Sequence, residues 1–210
     1  MPTKPVISSK AETVIQDFIK RLSESDDLSK KTLGDYESDL RDFASWFEVT
    51  WNSYNEDLPE FHPAEITTPT IIQYREHLQK VRSLKPATVN RRLNTIKRYF
   101  EWAALNAIIP NNYSKPVKLI PEEKTSPRRM SDKEETALIN AAEKKGNLRD
   151  RTILLLMLHT GLRSMEVCNV TVLDVVLGKR SGQLIVCGKR NKQREVPLNS
   201  TAREALETLA

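Results

Sequence analysis

Residues 111–130, NNYSKPVKLIPEEKTSPRRM, divide this chain into two parts. Three prolines interrupt the stretch, and no helical or strand period of apolar residues runs through it. Proline fixes its own backbone and lacks an N–H, so such a run cannot continue a helix. The chain has 210 residues, enough for two domains of about 100 residues each. We therefore expect domains at 1–112 and 131–210, joined by an extended linker at 113–130.

The part before this stretch has the apolar period of four helices. In the segment 28–47 the apolar residues recur at helical spacing, which is typical of one buried helix face. The segment 11–22 has the same period, so we expect the two helices to pack as an antiparallel pair. A third helix is predicted to begin with Thr68 as N-cap and Pro69 as its first residue. A fourth spans 85–105.

The fourth predicted helix combines an apolar face with basic flanks. Its apolar face carries Val89, Leu93, Ile96, Phe100 and Ala103. The cations that project from its sides and back are Arg91, Arg92, Lys97 and Arg98. Such a helix can pack on a small core and present cations to phosphates.

The part after the stretch is predicted to begin with a helix. Ser131 and Glu134 form a capping box at its start, and Gly146 ends it. The segment 149–163 is apolar on nearly every side, which predicts a buried helix. His159 lies within this segment, and we interpret it as a packed core residue.

A shorter helix in 164–175 leads towards a strand, and residues 182–198 then predict a β-hairpin. Its strands are expected at 184–187 and 195–198, with the turn at 188–192. The whole chain is therefore expected to be mainly α-helical with a small β-hairpin or sheet.

Several classes of protein are excluded by composition and pattern. Cys168 and Cys187 lie in separate apolar segments without a nearby second cysteine, so we expect buried free thiols and no disulfide or metal site. The chain has no apolar run of the roughly 18 residues that a membrane span needs. The N-terminus also lacks the apolar stretch of a secretion signal. We expect a cytoplasmic protein without a membrane partner.

The net charge of +5 is unevenly distributed. Residues 1–82 carry 10 basic and 15 acidic side chains, whereas residues 83–130 carry 10 basic and 3 acidic ones. Residues 178–194 carry 6 basic side chains and no acidic one. Two separate basic blocks indicate a polyanion held at two places, and nucleic acid is the commonest such partner. A solvated, lysine-rich surface is the alternative that charge alone leaves open.

Arg163 follows the apolar helix directly after Thr160-Gly161-Leu162. A guanidinium at this position stands on a rigid scaffold, and its planar fork matches two phosphate oxygens. Glu166, three residues on, can lie on the same side of the next helix and fix the plane of the guanidinium. A purely structural Arg–Glu pair that closes the helix junction would have the same local pattern.

Lys189 lies at the tip of the predicted hairpin, in the sequence GKRNK. A lysine there can be inserted beside a phosphodiester, where its ammonium could protonate a leaving oxygen. The GK pair is not a phosphate-binding P-loop, because the upstream glycine and the following serine or threonine are missing. A solvated hairpin tip is the alternative.

Four blocks of the sequence resemble the tyrosine recombinase (phage integrase) family, including Xer-type recombinases. LHTGLRSMEV and GKRNKQREVPL resemble two catalytic motifs of that family, in the right order and spacing. The segments 28–47 and 86–105 are similar to its helical, SAM-like core-binding domain, and the segment 131–142 to the start of its catalytic domain. The resemblance implies a core-binding domain followed by the N-terminal part of an α+β catalytic domain.

The resemblance also implies a function. Family members enclose duplex DNA and cleave one strand by tyrosine attack on phosphorus, without a metal or cofactor, and full-length members assemble as tetramers. By this resemblance Arg163 binds the scissile phosphate, Glu166 supports Arg163, and Lys189 assists the leaving 5′-oxygen. The residues expected to bind DNA are Lys30, Lys31, Thr32, Lys85, Thr88, Arg91, Arg92, Lys97, Arg98, Arg128, Arg129, Arg190, Lys192 and Arg194.

The sequence departs from the family pattern in three respects. It has no His-x-x-Arg box and no late tyrosine, since its five tyrosines all lie at or before residue 113. Arg190 stands where relatives often have glycine, so Asn191 or a shifted turn must supply any positive φ. We expect the front two-thirds of a recombinase that is inactive alone. The alternatives are a relative that occupies recombination sites without cutting them, or a helix-turn-helix regulator, which would leave the hairpin unexplained.

Overall fold

The computed structural model describes residues 5–51, 60–123, 126–188 and 192–209. The chain divides into two compact units, Met1–Lys124 and Thr125–Ala210. The described elements of the first unit are α1 (Ser9–Ser25), α2 (Lys30–Trp51), a 3-10 turn (Pro63–Glu65), α3 (Thr68–Glu76), a π-helical turn (His77–Val81) and α4 (Pro86–Leu105). None of the helices in the described ranges is both long and apolar enough to cross a bilayer.

The core of the first unit confirms the predicted helical faces. All five residues of the apolar face of α4 are buried. Aromatic rings from other elements join this face, and Phe18 of α1 meets Tyr99 of α4 edge-on with ring centroids 5.3 Å apart. Helices α1 and α2 are antiparallel as expected, because the Ser8 N–H donates to Glu48 at 2.9 Å and Arg41 donates to Glu12.

Helix α3 begins one residue earlier than the sequence predicts. Thr67 is the N-cap, and its hydroxyl contacts the Thr70 hydroxyl at 3.0 Å. Thr68, the predicted cap, instead donates its hydroxyl to the Tyr113 carbonyl at 2.6 Å. Because the Thr68 hydroxyl is used in this bond to Tyr113, 45 residues away in the sequence, Thr67 caps the helix instead.

The first half of the predicted linker packs on the first unit. Ser114 and Val117 are buried. Asn90 of α4 accepts from the Ile120 backbone N–H at 2.8 Å and donates to the Ile120 carbonyl at 2.9 Å. The prolines prevent a helix here but leave an extended chain free to pack, so the linker expected at 113–130 does not begin at residue 113.

The described elements of the second unit are α5 (Asp132–Lys145), α6 (Leu148–Thr160), α7 (Ser164–Cys168), a 3-10 turn (Val172–Asp174), β1 (Val175–Leu177), β2 (Gly182–Cys187), β3 (Gln193–Pro197) and α8 (Ser200–Leu209). The predicted capping box and stop of α5 are confirmed. The strands form an antiparallel sheet in the order β1-β2-β3, in which Val186 lies opposite Arg194. The hairpin is therefore confirmed, although residues 189–191 of its turn lie outside the described residues.

Two burial predictions for the second unit are wrong. Helix α6 buries only Thr152, Leu155 and Leu156, and His159 is exposed. Both Cys168 and Cys187 are exposed free thiols. Helix α6 has more apolar side chains than its neighbours bury, because α5, α7 and α8 contact only part of its surface.

Candidate phosphate-binding site

The junction between α6 and α7 places Arg163. Gly161 ends α6 in the left-handed region, with φ 65°, and its N–H donates to the Met157 carbonyl at 3.2 Å. A glycine adopts this conformation without the steric penalty of a Cβ. Leu162 then buries its side chain, and Arg163 stands with extended backbone just before α7. The guanidinium therefore projects from a fixed turn rather than from a loose loop.

Glu166 of α7 accepts hydrogen bonds from both the backbone and the side chain of Arg163. It is 7% exposed, and each of its carboxylate oxygens accepts two N–H groups. Oε1 accepts from Arg163 Nη1 at 3.0 Å and from Arg194 Nη1 at 2.9 Å. Oε2 accepts from the Arg163 backbone N–H and from Arg194 Nη2, both at 2.9 Å. We call Arg163, Glu166 and Arg194 the α7–β3 cluster.

The electrostatics of the cluster keep Glu166 ionised. The hydrogen bonds from Arg194, followed by that from the Arg163 backbone, lower the pKa of Glu166 to about 2. Two guanidinium groups and one carboxylate leave the cluster with one net positive charge.

The outer side of Arg163 is available to a ligand. Its side chain is 78% exposed, whereas that of Arg194 is 43% exposed. Within the part of the chain that the structure describes, the Arg163 guanidinium donates only to Glu166, through Nη1. Most of its N–H donors therefore remain free to bind two oxygens of a phosphate in a fork.

Arg194 has a different place from the one its sequence suggests. It was expected among the DNA-binding cations of the hairpin, but its guanidinium is engaged with Glu166 in a two-point fork. The feature that could have predicted this position of Arg194 is the register of the hairpin. Directly opposed residues share a face of a sheet, and Val186, which opposes Arg194, is buried.

The remaining hairpin cations are less defined. Lys189 and Arg190 lie outside the described residues, and so does Asn191. Lys192 is exposed, and its carbonyl accepts from the Gly188 N–H at 2.8 Å. The roles predicted for Lys189 and Arg190 stay predictions.

In the first unit, two arginines expected to bind DNA are paired with carboxylates of α2. Arg91 donates to Asp39 from both terminal nitrogens, at 2.6 and 2.9 Å, and Arg92 donates to Asp42. Tyr74 also donates to Asp42, at 2.6 Å. We call these five residues the α2–α4 cluster.

Burial and hydrogen bonding act in opposite directions on the two carboxylates of this cluster. Burial raises the pKa of Asp39 above its ordinary value. Burial acts on Asp42 as well, but hydrogen bonds from Arg82 and Tyr74 outweigh it, and the Asp42 pKa is lowered. The side chain of Arg92 is only 15% exposed, so it cannot project to a ligand as its sequence position suggests.

The other two cations of α4 also have partners within the unit. Arg98 donates to Asp26 and, at 3.0 Å, to the Tyr36 hydroxyl. Lys97 donates to the Ser114 carbonyl at 2.8 Å. These side chains fix α4 to its neighbours, and their predicted roles in binding DNA stay predictions.

The lysines of the first unit that were expected to bind DNA and are exposed lie at the starts of α2 and α4. Lys30 and Lys31 begin α2, beside Thr32, and Lys85 precedes α4, close to Thr88. Since α2 and α4 are antiparallel, the two groups of lysines lie at opposite ends of the pair.

Two further predicted cations begin the second unit. Arg128 donates to Glu134, the residue that completes the cap of α5, and its side chain is 81% exposed. Arg129 is exposed.

The tyrosines all lie in the first unit. Tyr54 is outside the described residues. Tyr74 and Tyr99 are buried, and burial raises the pKa of both hydroxyls. Tyr36 contacts Arg98, and the carbonyl of Tyr113 is bonded to Thr68. A neutral, buried phenol is a weak nucleophile.

Two family models match most of the chain. Residues 14–108 match the model described as "Phage integrase, N-terminal SAM-like domain", and residues 128–210 match "Phage integrase family". The tyrosine recombinase XerC of Staphylococcus aureus is 31% identical over 201 residues, which are 92% of this chain and 62% of that protein. XerC of Myxococcus xanthus is 36% identical over 125 residues, 58% of this chain and 41% of its own. This chain thus spans about three fifths or less of these curated relatives.

Solved structures share the fold at low sequence identity. A lambda integrase dimer bound to a COC′ core site has a TM-score of 0.70 and 21% identity, covering 94% of this chain and 53% of that one. The XerH site-specific recombinase bound to a palindromic difH substrate has a TM-score of 0.67 and 16% identity, covering 96% of this chain and 56% of that one.

Proposed function

The chain belongs to the tyrosine recombinase (phage integrase) family, and from that membership we propose that it binds duplex DNA for site-specific recombination in the cytoplasm. The observation that carries the proposal is the exposed Arg163 guanidinium, which a buried and ionised Glu166 holds at a rigid helix junction. This arrangement suits a phosphate in the backbone of DNA better than a closed structural pair, because most donors of Arg163 face outward.

At the phosphate, we propose separate roles for three side chains. Arg163 binds two oxygens of the scissile phosphate and offsets the charge that develops as a nucleophile attacks phosphorus. Glu166 fixes the orientation of Arg163. Lys189 donates a proton to the 5′-oxygen as its bond to phosphorus breaks, so that a free hydroxyl leaves. The nucleophile of this reaction is a tyrosine hydroxyl, which forms a phosphotyrosine. No metal or cofactor enters this scheme, which stays a prediction.

In the first unit, we propose that Lys30, Lys31 and Lys85 bind phosphates, with the nearby Thr32 and Thr88 hydroxyls. These lysines are exposed at two ends of the α2–α4 pair, whereas Arg92, Lys97 and Arg98 are engaged within the unit. Arg91 is half-exposed and donates to the buried Asp39, so it can offer its remaining donors to DNA. Contacts from Arg128, Arg129, Arg190 and Lys192 complete the proposed interface.

The 210 residues alone are proposed to bind DNA without cleaving it. The tyrosines precede the second unit, and two of the described ones are buried with raised pKa values. The second candidate is a relative that occupies recombination sites without cutting them. By analogy with a lambda integrase tetramer bound to a Holliday junction, a tetramer is the assembly proposed for a full-length form.

Fluorescence anisotropy of a labelled duplex between about 50 and 200 mM salt tests this proposal. We expect log K to fall with log salt, with a slope of about −0.9 for each phosphate neutralised. The variant Arg163→Ala should have a slope shallower by about 0.9. The matched control Arg151→Ala removes a cation that pairs with Glu143 in the same unit, and it should retain the wild-type slope. An affinity independent of salt would refute DNA binding.

A nicked suicide substrate distinguishes the two candidates. These 210 residues should form no covalent adduct with it, because the reaction lacks a competent tyrosine. The protein expressed to its natural stop codon should form a phosphotyrosine adduct if it is a recombinase. Absence of this adduct would favour the non-cutting relative.

A further inference from the structure

Arg194 shares a buried carboxylate with the arginine proposed to bind phosphate. We infer that Arg194 is a positioning residue: it holds Glu166 so that Arg163 keeps both its orientation and its effective positive charge. The inference rests on the proposed function of Arg163 and extends it to a residue on a different element. The inference gives a residue of β3 a role in the proposed phosphate-binding site. From the sequence, Arg194 was expected only to bind DNA together with the other cations of the hairpin.

The geometry joins β3 to α7 and its N-cap at one carboxylate. Arg194 lies on β3 opposite the buried Val186, and its two terminal nitrogens donate to the two oxygens of Glu166 at 2.9 Å. A two-point fork fixes the plane of the carboxylate as well as its position. That plane determines where Oε1 accepts from Arg163 Nη1, so a rotation of the carboxylate would move the phosphate-binding guanidinium.

The Arg194 guanidinium also lies close to Gly188, the residue at the start of the hairpin turn. A Cβ placed on Gly188 would lie 3.5 Å from Arg194 Nη1. Gly188 immediately precedes Lys189 in the sequence. Arg194 Nη1 therefore both donates to Glu166 and lies close to the start of the turn.

Charge balance gives Arg194 a second effect. With Arg194 present, the α7–β3 cluster has one net positive charge. Without it, Glu166 and Arg163 would neutralise each other, and Glu166 would compete with a phosphate for the same donors. Because Glu166 is only 7% exposed, water would replace the lost partner poorly. The low pKa of Glu166, for which Arg194 is the largest cause, agrees with this dependence.

A double-mutant cycle on the 210-residue chain tests the inference. The variants are Arg163→Ala, Arg194→Gln and the double substitution, and the readout is the salt slope of binding to a labelled duplex. Arg194→Gln alone should make the slope shallower by up to about 0.9, as loss of one phosphate contact does. In the Arg163→Ala background the same change should have no further effect, because Arg194 acts only through Arg163.

Further variants separate positioning from a general loss of structure. Arg151→Gln removes one partly exposed cation, paired with Glu143, from the same unit and should leave the slope unchanged. Arg194→Lys keeps the charge without the fork and should restore part of the slope. The Glu166 carboxylate resonance, followed by NMR against pH, should titrate near pH 2 in the wild type and closer to its ordinary 4.5 in Arg194→Gln.

Each outcome decides the matter. If Arg194→Gln retains the wild-type slope, or if the double variant loses another 0.9 or so, Arg194 does not act through Arg163 and the inference fails. The second of these results would mean that Arg194 binds a phosphate of its own. If Arg163→Ala itself retains the wild-type slope, the proposed function fails first, and the inference fails with it.

Discussion

Two arginine–carboxylate pairs, Arg92–Asp42 of the α2–α4 cluster and Arg163–Glu166 of the α7–β3 cluster, differ in the exposure of the guanidinium. In the α2–α4 cluster, Arg92 is 15% exposed and joins α4 to Asp42. In the α7–β3 cluster, Arg163 is 78% exposed and the carboxylate of Glu166 is the buried partner. The first arrangement satisfies a cation inside the protein, whereas the second presents a cation to solvent in a fixed orientation. An exposed guanidinium held by a buried carboxylate, as in Arg163–Glu166, keeps donors for a ligand, and the half-exposed Arg91 on the buried Asp39 is intermediate between the two pairs.

The largest expected effect is the loss of the α2–α4 cluster. Asp42→Asn removes the carboxylate that Arg92 and Arg82 both bind and leaves Arg92, among the described residues, with only a 3.9 Å ionic contact to Asp39. It also weakens the bond from Tyr74, so unfolding should be easier by about 3 kcal/mol. All three tryptophans lie in the first unit, so urea unfolding followed by tryptophan fluorescence reports on that unit alone. Asp35→Asn, an exposed position on the same helix, should change stability by less than about 0.5 kcal/mol. Equal effects of the two substitutions would mean that the cluster is not structural.

A smaller loss is expected where the predicted linker packs on α4. Asn90→Ala removes both bonds to the Ile120 backbone and should destabilise the first unit by about 1–3 kcal/mol. Proteolysis within 113–123 should also become faster. Asn94→Ala, an exposed position on the same helix, should change neither quantity. If cleavage in 113–123 is equally fast in the wild type, this segment is a linker after all.

The α7–β3 cluster should make the second unit sensitive to acid. The Glu166 pKa in the folded protein, about 2, is below its ordinary 4.5. A lowered carboxyl pKa stabilises the fold fully above about pH 4.5, and this contribution is lost as the pH falls towards 2. The melting temperature of the second unit, followed by circular dichroism, should therefore be lower in Glu166→Gln than in the wild type at pH 7. The difference should shrink between pH 4.5 and 2; a constant difference would contradict it.

Local patterns predicted the elements well and their partners poorly. The apolar face of α4, the cap of α5 and the hairpin follow from periodicity, capping residues and turn residues within a few positions. The partners of Arg92, Arg98 and Arg194 do not, because each is a carboxylate 28 or more residues away. The exposure of Cys168 also depends on neighbours that no local pattern specifies.

The site was predicted in the same partial way. Arg163 and Glu166 are three residues apart, so helical spacing was enough to bring them together. Arg194 required the register of a hairpin and its placement against α7, which are tertiary features. The sequence feature that could have indicated this placement is the pairing of Arg194 with the apolar Val186 across the hairpin.

The most direct test of the central claim compares one arginine from each cluster on DNA. The Nε–H resonances of Arg163 and Arg92, assigned through Arg→Lys substitutions, can be followed by ¹⁵N NMR while a duplex is added. The account predicts that the Arg163 signal shifts and that the Arg92 signal stays in place, because Arg92 Nε is buried. A shift of the Arg92 signal with an unmoved Arg163 signal would contradict it.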